Sequence, residues 1–108
     1  MKEFFPSIKR VSYEGPESNN PLAFKHYDSA ALVMGKSMAD HLRFAVAYWH
    51  TFKGTGSDPF GPGTMLREWA EPADPMAAAE ATLRAAFEFF TKLGVDFWCF
   101  HDRDIAPE

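Results

Sequence analysis

An α/β fold is predicted for this chain by three observations. Two short segments, 42–49 and 95–101, are apolar on both faces. One segment, 75–93, carries a long amphipathic helical pattern. They follow one another as strand, loop, helix and strand. Strands buried on both faces are typical of parallel sheets, and a helix joining two such strands makes a βαβ crossover, which is right-handed in nearly all proteins. Two parallel strands cannot cover both of their own faces, so the pattern reads as the opening of a larger α/β domain.

The elements can be justified in order along the chain. Residues 1–36 form an irregular N-terminal arm, because "YEGPESNNPLAF" places Gly15-Pro16, Asn19-Asn20 and Pro21 in close succession. "GKSMADHL" predicts one or two helical turns capped by Ser37. The first strand, about 42–49, comes from "LRFAVAYWHTF", where Phe44, Val46 and Tyr48 alternate with Ala45, Ala47 and Trp49. A loop over about 50–74 holds four glycines and three prolines, and loops of this length are often functional. The helix over about 75–93 has Asp74 as its cap, Pro75 at its first position, Lys92 in its last turn and Gly94 as its stop. Met76, Ala79, Leu83, Ala86, Phe90 and Leu93 mark its apolar face. The second strand, about 95–101, is "VDFWCFH".

Composition narrows the function classes. The 108 residues suffice for one small domain, and 46% hydrophobic with 16% aromatic content is incompatible with disorder. Eleven Phe, three Trp and three Tyr exceed what a free-standing domain of this size hides, which predicts packing against further protein. The net charge of −4 and the lack of a basic stripe argue against nucleic acid. No apolar run approaches the roughly 20 residues that span a bilayer, and the N-terminus has no signal-peptide pattern. A lone Cys99 gives neither a disulfide framework nor a cysteine zinc site, and fits a reducing cytoplasm. Cys99 reads as a small core residue.

The chemistry is expected at the carboxyl ends of the strands, where parallel α/β folds bind ligands. Trp49 and His50 end the first strand and His101 ends the second. By parity, Ala45, Ala47 and Trp49 share one face, as do Phe97, Cys99 and His101, so Trp49 and His101 are expected to look into one pocket. In "HDRD", Asp104 can orient His101, fixing its tautomer and stabilising its imidazolium for proton transfer. Two other readings stay open from the residues alone. His101 could bond a loop carbonyl while Asp104 pairs with Arg103, or the pair could ligate a metal. Trp49 is equally consistent with core packing. Phe60, at the tip of "DPFGPGT", points either to a partner surface or back under its own loop. His26, His41 and His50 read as structural or exposed.

Several ordered motifs carry a family resemblance: "EGP-S-NPLAFK-Y", "LRFAVAYWHTF", "DPFGPGTM", "AAFEFF-KLGV" and "FWCFHDRDIAPE". From Tyr13 to Glu108 the chain resembles the N-terminal part of bacterial xylose isomerase, in the longer-chain class with an N-terminal extension. The resemblance implies a (β/α)₈ TIM barrel, of which residues 37–108 would be the start and residues 1–36 the extension. Such a barrel needs about 250 residues, so the chain supplies an incomplete barrel and reads as a piece of a longer polypeptide. It further implies interconversion of D-xylose and D-xylulose, a cytoplasmic homotetramer, and two Mg²⁺ ions per subunit, with Mn²⁺ or Co²⁺ as substitutes. His101 would assist ring opening, Asp104 would hold His101, Trp49 would form an apolar wall at the sugar, and Phe60 would reach into a neighbouring subunit's site. No metal ligand falls in this segment; those residues and the catalytic Lys belong to later strands.

These roles suit the implied reaction. Ring opening moves a proton between ring and anomeric oxygens, which an oriented imidazole can do. The chain alone is expected to be inactive. The competing readings are a non-catalytic interaction module and another divalent-metal TIM-barrel enzyme.

Overall fold

The computed structural model describes residues 2–107. Among the described residues nine elements follow in order: β1 (Leu32–Val33), β2 (Lys36–Ser37), α1 (Met38–His41), β3 (Ala45–Ala47), a π-helical turn (Trp49–Lys53), a 3₁₀ turn (Glu68–Ala70), α2 (Pro75–Leu93), β4 (Phe97–Cys99) and α3 (Asp102–Ile105). The architecture is mixed α/β with small sheets.

Helix α2 is the organising element. The Asp74 carboxylate accepts the Ala77 amide at 2.8 Å, satisfying a donor that the first turn leaves orphaned, and Pro75 opens the helix where no amide is needed. Gly94 ends it at φ +77, a left-handed conformation that a side chain would disfavour, and returns its amide to the Phe90 carbonyl at 2.9 Å. The buried residues are Ala81, Thr82, Ala85, Ala86 and Phe90. The alanines let the helix lie close to the strands, while the Thr82 hydroxyl finds the Ala78 carbonyl at 2.7 Å. Met76, expected on the apolar face, is instead 54% exposed, so the buried stripe of α2 begins only at Ala81.

Strands β3 and β4 pair in parallel, with Ala45 opposite Phe97, Val46 opposite Trp98 and Ala47 opposite Cys99. Together with α2 they make the βαβ unit. Val46 and Tyr48 are buried, packing with Phe52, Trp69 and the small face of α2. On the opposite sheet face Ala45, Phe97 and Cys99 are exposed. Cys99 is therefore not a core residue, contrary to the expectation from its apolar surroundings; it lies on the face that no element of this segment covers. Pairing is also shorter than the alternation over 42–49 suggests. Phe44 turns out to Tyr27, ring centroids 5.1 Å apart, and the chain winds into the helical turn just after Tyr48.

Two features escaped the reading of residues 1–74. One is the antiparallel hairpin of β1 and β2, turned by Met34 and Gly35 at positive φ, which leads into α1; there the Ser37 hydroxyl accepts the Asp40 amide at 3.1 Å. The other is Trp69, buried within the long connection, where its indole N–H donates to the Phe52 carbonyl at 2.9 Å. Phe4 and Phe5 pack on the Trp69 ring at 6.0 and 5.9 Å.

The first residues are fastened to α2 by a polar clamp. Both Glu88 carboxylate oxygens accept backbone amides, from Phe4 and Phe5 at 2.8 Å each, and Lys92 reaches the Phe5 carbonyl at 2.6 Å and Glu88 at 3.1 Å. Burial pushes the Glu88 pKa up, but the two amides and Lys92 outweigh it and leave the net shift downward. A lowered folded-state pKa means that the clamp's stabilisation is present above the unfolded carboxyl value, about 4.3, and is lost as pH falls through the folded value. Glu88→Ala is expected to cost about 1–3 kcal/mol, since it leaves two part-buried amides unmet. Hydrogen exchange should show the Phe4 and Phe5 amides losing protection in the variant at pH 7, and in the parent protein only as pH falls below the ordinary carboxyl range.

Candidate functional site

The site is built where β4 ends. His101 is the N-cap of the short helix α3, with extended backbone at φ −101 and ψ 155. This turn brings Asp104 back against the residue three positions earlier. Asp104 Oδ2 accepts the His101 backbone amide at 2.8 Å and lies 3.0 Å from the ring Nδ1, while the Asp104 amide donates to the His101 carbonyl at 3.0 Å. The backbone amide of His101, opposed by partial burial and helped by the imidazole and by the charge of Lys53, holds the Asp104 carboxyl below its ordinary range. An ionised carboxylate on Nδ1 selects the tautomer protonated there. That leaves Nε2 as the proton-accepting atom on a side chain that is 68% exposed. Asp102 faces another way: its carboxylate accepts the Arg103 amide at 2.8 Å.

Trp49 supplies the apolar neighbour. Because Ala47 pairs with Cys99, the residues just beyond each strand lie at one rim, and the Trp49 ring centroid sits 4.7 Å from that of His101. Trp49 belongs to the π-helical turn rather than to the strand, yet it still reaches His101 from the end of β3. His50 lies 5.4 Å from Trp49 and is exposed. An apolar wall beside an oriented imidazole can bind a neutral polar molecule and exchange a proton with it.

Phe60 stands apart from this rim. It is 97% exposed, yet its loop is ordered. The Thr55 carbonyl accepts the Thr64 and Met65 amides at 2.9 Å, Asp58 and Gly61 bond one another, and Asp58 Oδ1 accepts the Phe60 amide at 2.8 Å. At the loop's neck a Cβ on Gly63 would meet the Thr55 side chain at 2.8 Å, so only glycine permits this closure. Phe60 is thus held out from the body rather than folded beneath its own loop.

The structure adds two residues that the linear pattern did not single out. Lys53 lies where its charge bears on Asp104, and Tyr48, read as strand core, is fully buried with its hydroxyl left without a hydrogen-bond partner. Neither carries a sequence signal, because each depends on residues far along the chain. Among the described residues no group of three or more His, Cys, Asp or Glu side chains is placed to hold a metal ion.

No protein-family model matches the chain. Curated relatives do. It is 61% identical over 106 residues, 98% of its length, to "Xylose isomerase" of Caldanaerobacter subterraneus subsp. yonseiensis. It is 61% identical over 107 residues, 99% of its length, to "Xylose isomerase 1" of Xanthomonas campestris pv. campestris (strain 8004). To "Xylose isomerase" of Pseudomonas fluorescens (strain Pf0-1) it is 56% identical over 105 residues, 97% of its length. In each case the chain spans 24% of the relative and corresponds to its N-terminal part.

Proposed function

We propose, from a chain that is homologous over nearly its whole length to the N-terminal part of xylose isomerases, that it supplies the sugar-facing His–Asp wall of an aldose–ketose isomerase. The observation that carries this reading is the bond between Asp104 and His101 Nδ1 beside the Trp49 ring. His101 Nε2 is the base and acid that moves a proton between the ring and anomeric oxygens of cyclic D-xylose, so that the ring opens. Asp104 holds the imidazole and stabilises its protonated form. Trp49 packs on the sugar's apolar face and keeps water from it.

The βαβ unit is the first part of a (β/α)₈ barrel in this reading, with residues 1–36 as an extension before it. Its support is the one-sided cover of the sheet: α2 packs on one face, while Ala45, Phe97 and Cys99 on the other await the rest of a barrel. Among the described residues no side-chain cluster fits a metal site, so no step is assigned here through a metal; the ligands of the two divalent ions would come from later strands. Phe60 enters the sugar site of a neighbouring subunit in a homotetramer. Its support is an aromatic ring held fully in solvent by an ordered loop, an arrangement that wastes apolar burial unless a partner receives it. The likeness to xylose isomerases is the support for placing the protein in the cytoplasm.

The test is a fusion of these residues to the remaining three quarters of the Caldanaerobacter relative. It should convert D-xylose to D-xylulose with Mg²⁺ present, and the 108-residue segment alone should not. A correctly assembled fusion without turnover, or turnover by the isolated segment, would overturn the reading.

A further inference from the structure

The turn that carries Trp49 is held from outside itself. Trp49–Lys53 is π-helical, a rare winding that is frequent at functional sites. A helix this short leaves its last carbonyls without helical partners. Two donors from residues 67–69 approach this end of the turn. The buried Trp69 indole N–H donates to the Phe52 carbonyl at 2.9 Å, and Arg67 Nε donates to the Gly54 carbonyl at 3.3 Å. The Arg67 guanidinium also lies over the Trp69 ring, 5.4 Å from its centroid, so each donor steadies the other. Trp69 is almost fully buried, and Phe4, Phe5 and Phe52 pack its ring at 6.0, 5.9 and 5.8 Å, which fixes the direction of the N–H. At the other end of the same turn stands Trp49, its ring 4.7 Å from that of His101.

We propose that Trp69 is a positioning residue for the sugar site: its indole N–H holds the π-helical turn at Phe52 and so sets the angle at which Trp49 meets His101. This role rests on the reading of Trp49 as the wall on the sugar's apolar face. Without the indole, the Phe52 carbonyl becomes a buried acceptor with no partner, and rewinding the turn is the change that brings a following backbone amide to it. An α-helical winding turns the chain by about 100° per residue, more than a π-helical one, so rewinding rotates Trp49 relative to Phe52. Phe52 is anchored among Trp69, Phe89 and Phe90, and the rotation therefore falls on Trp49. His101 and Asp104 are joined within the turn of α3 and do not depend on Trp69. The defect thus falls on sugar binding and leaves proton transfer in place.

Two substitutions remove the N–H. Trp69→Phe keeps an aromatic ring in the cluster, and 3-benzothienylalanine at position 69 keeps the whole bicyclic shape with sulfur in place of the N–H. In the active fusion both should raise KM for D-xylose about three- to tenfold and leave kcat within about twofold, the split that marks binding lost equally from ground and transition states. A merely structural role would instead lower the amount of folded enzyme, and with it the apparent kcat, at unchanged KM. NMR of the isotope-labelled His101 ring reads the contact itself. The Trp49 ring current displaces its resonances, Trp49→Leu supplies the zero, and both substitutions at position 69 should shrink the displacement. A fusion without turnover whose His101 resonances still move in this way would keep Trp69 as the residue that positions Trp49 and remove the isomerase reading alone. His101 resonances that keep their displacement in both variants, or a KM that neither variant changes in an active fusion, would overturn the proposal, even if stability fell.

Discussion

His101→Asn in the full-length fusion is expected to lower kcat/KM for cyclic D-xylose by about 10²–10³-fold, the range typical of a lost general acid–base group. The loss should be far smaller for an acyclic aldose, since only ring opening is assigned to the imidazole. Asp104→Asn should follow the same pattern less severely: the amide can still bond Nδ1, but it favours the wrong tautomer and carries no charge to stabilise the imidazolium. Mg²⁺ affinity, measured by calorimetry on both variants, separates this from the competing chemistry. An imidazole that moves protons leaves metal affinity unchanged. A collapse of affinity in His101→Asn would make His101 a ligand, with Asp104 as the carboxylate that orients it.

Phe52→Ala is expected to be the most damaging single truncation for stability. Phe52 is almost fully buried, and its ring meets Tyr48 at 5.5 Å, Trp69 at 5.8 Å, Phe89 at 5.5 Å and Phe90 at 5.9 Å. Removing a buried Phe costs about 3–5 kcal/mol, a large share of the roughly 5–15 kcal/mol by which a domain is stable. The hole would also free Tyr48 on one side and Trp69 on the other, loosening the helical turn that carries Trp49. Urea unfolding of the fusion should show a large drop in midpoint, whereas Met76→Ala, on the exposed first turn of α2, should stay within about 0.5 kcal/mol of the parent. Equal effects from the two substitutions would show that the aromatic cluster is not the core.

Local chemistry made α2 legible from the sequence alone. Asp74, Pro75 and Gly94 act within a few residues of themselves, so the helix ends need no distant partner to be read. The same holds for Ser37 as a cap and for His101 with Asp104, whose three-residue spacing lets one turn join them. The two strands were legible as apolar runs, but their lengths were not. An alternation of apolar residues continues past the point where a partner strand exists to pair with it, and β3 stops at Ala47 because pairing with β4 reaches only Cys99. Cys99 went astray for a related reason. Apolar neighbours in sequence say that a strand is buried on both faces in some context, not which face this segment covers itself.

What the sequence by itself determined is the strand–loop–helix–strand order and the capped helix, and it offered the His101–Asp104 pair as one reading of three, because caps and a three-residue spacing are written in contacts between near neighbours. What only the tertiary structure decided is which distant residues meet. Trp69 fills the core from within a long loop, the first residues dock on α2 through Glu88 and Lys92, and Trp49 lies against His101 although their strands stand about fifty positions apart. The physical reason is that burial and long-range hydrogen bonding depend on how the layers close over one another, and apolar periodicity specifies a face to be covered without naming what covers it.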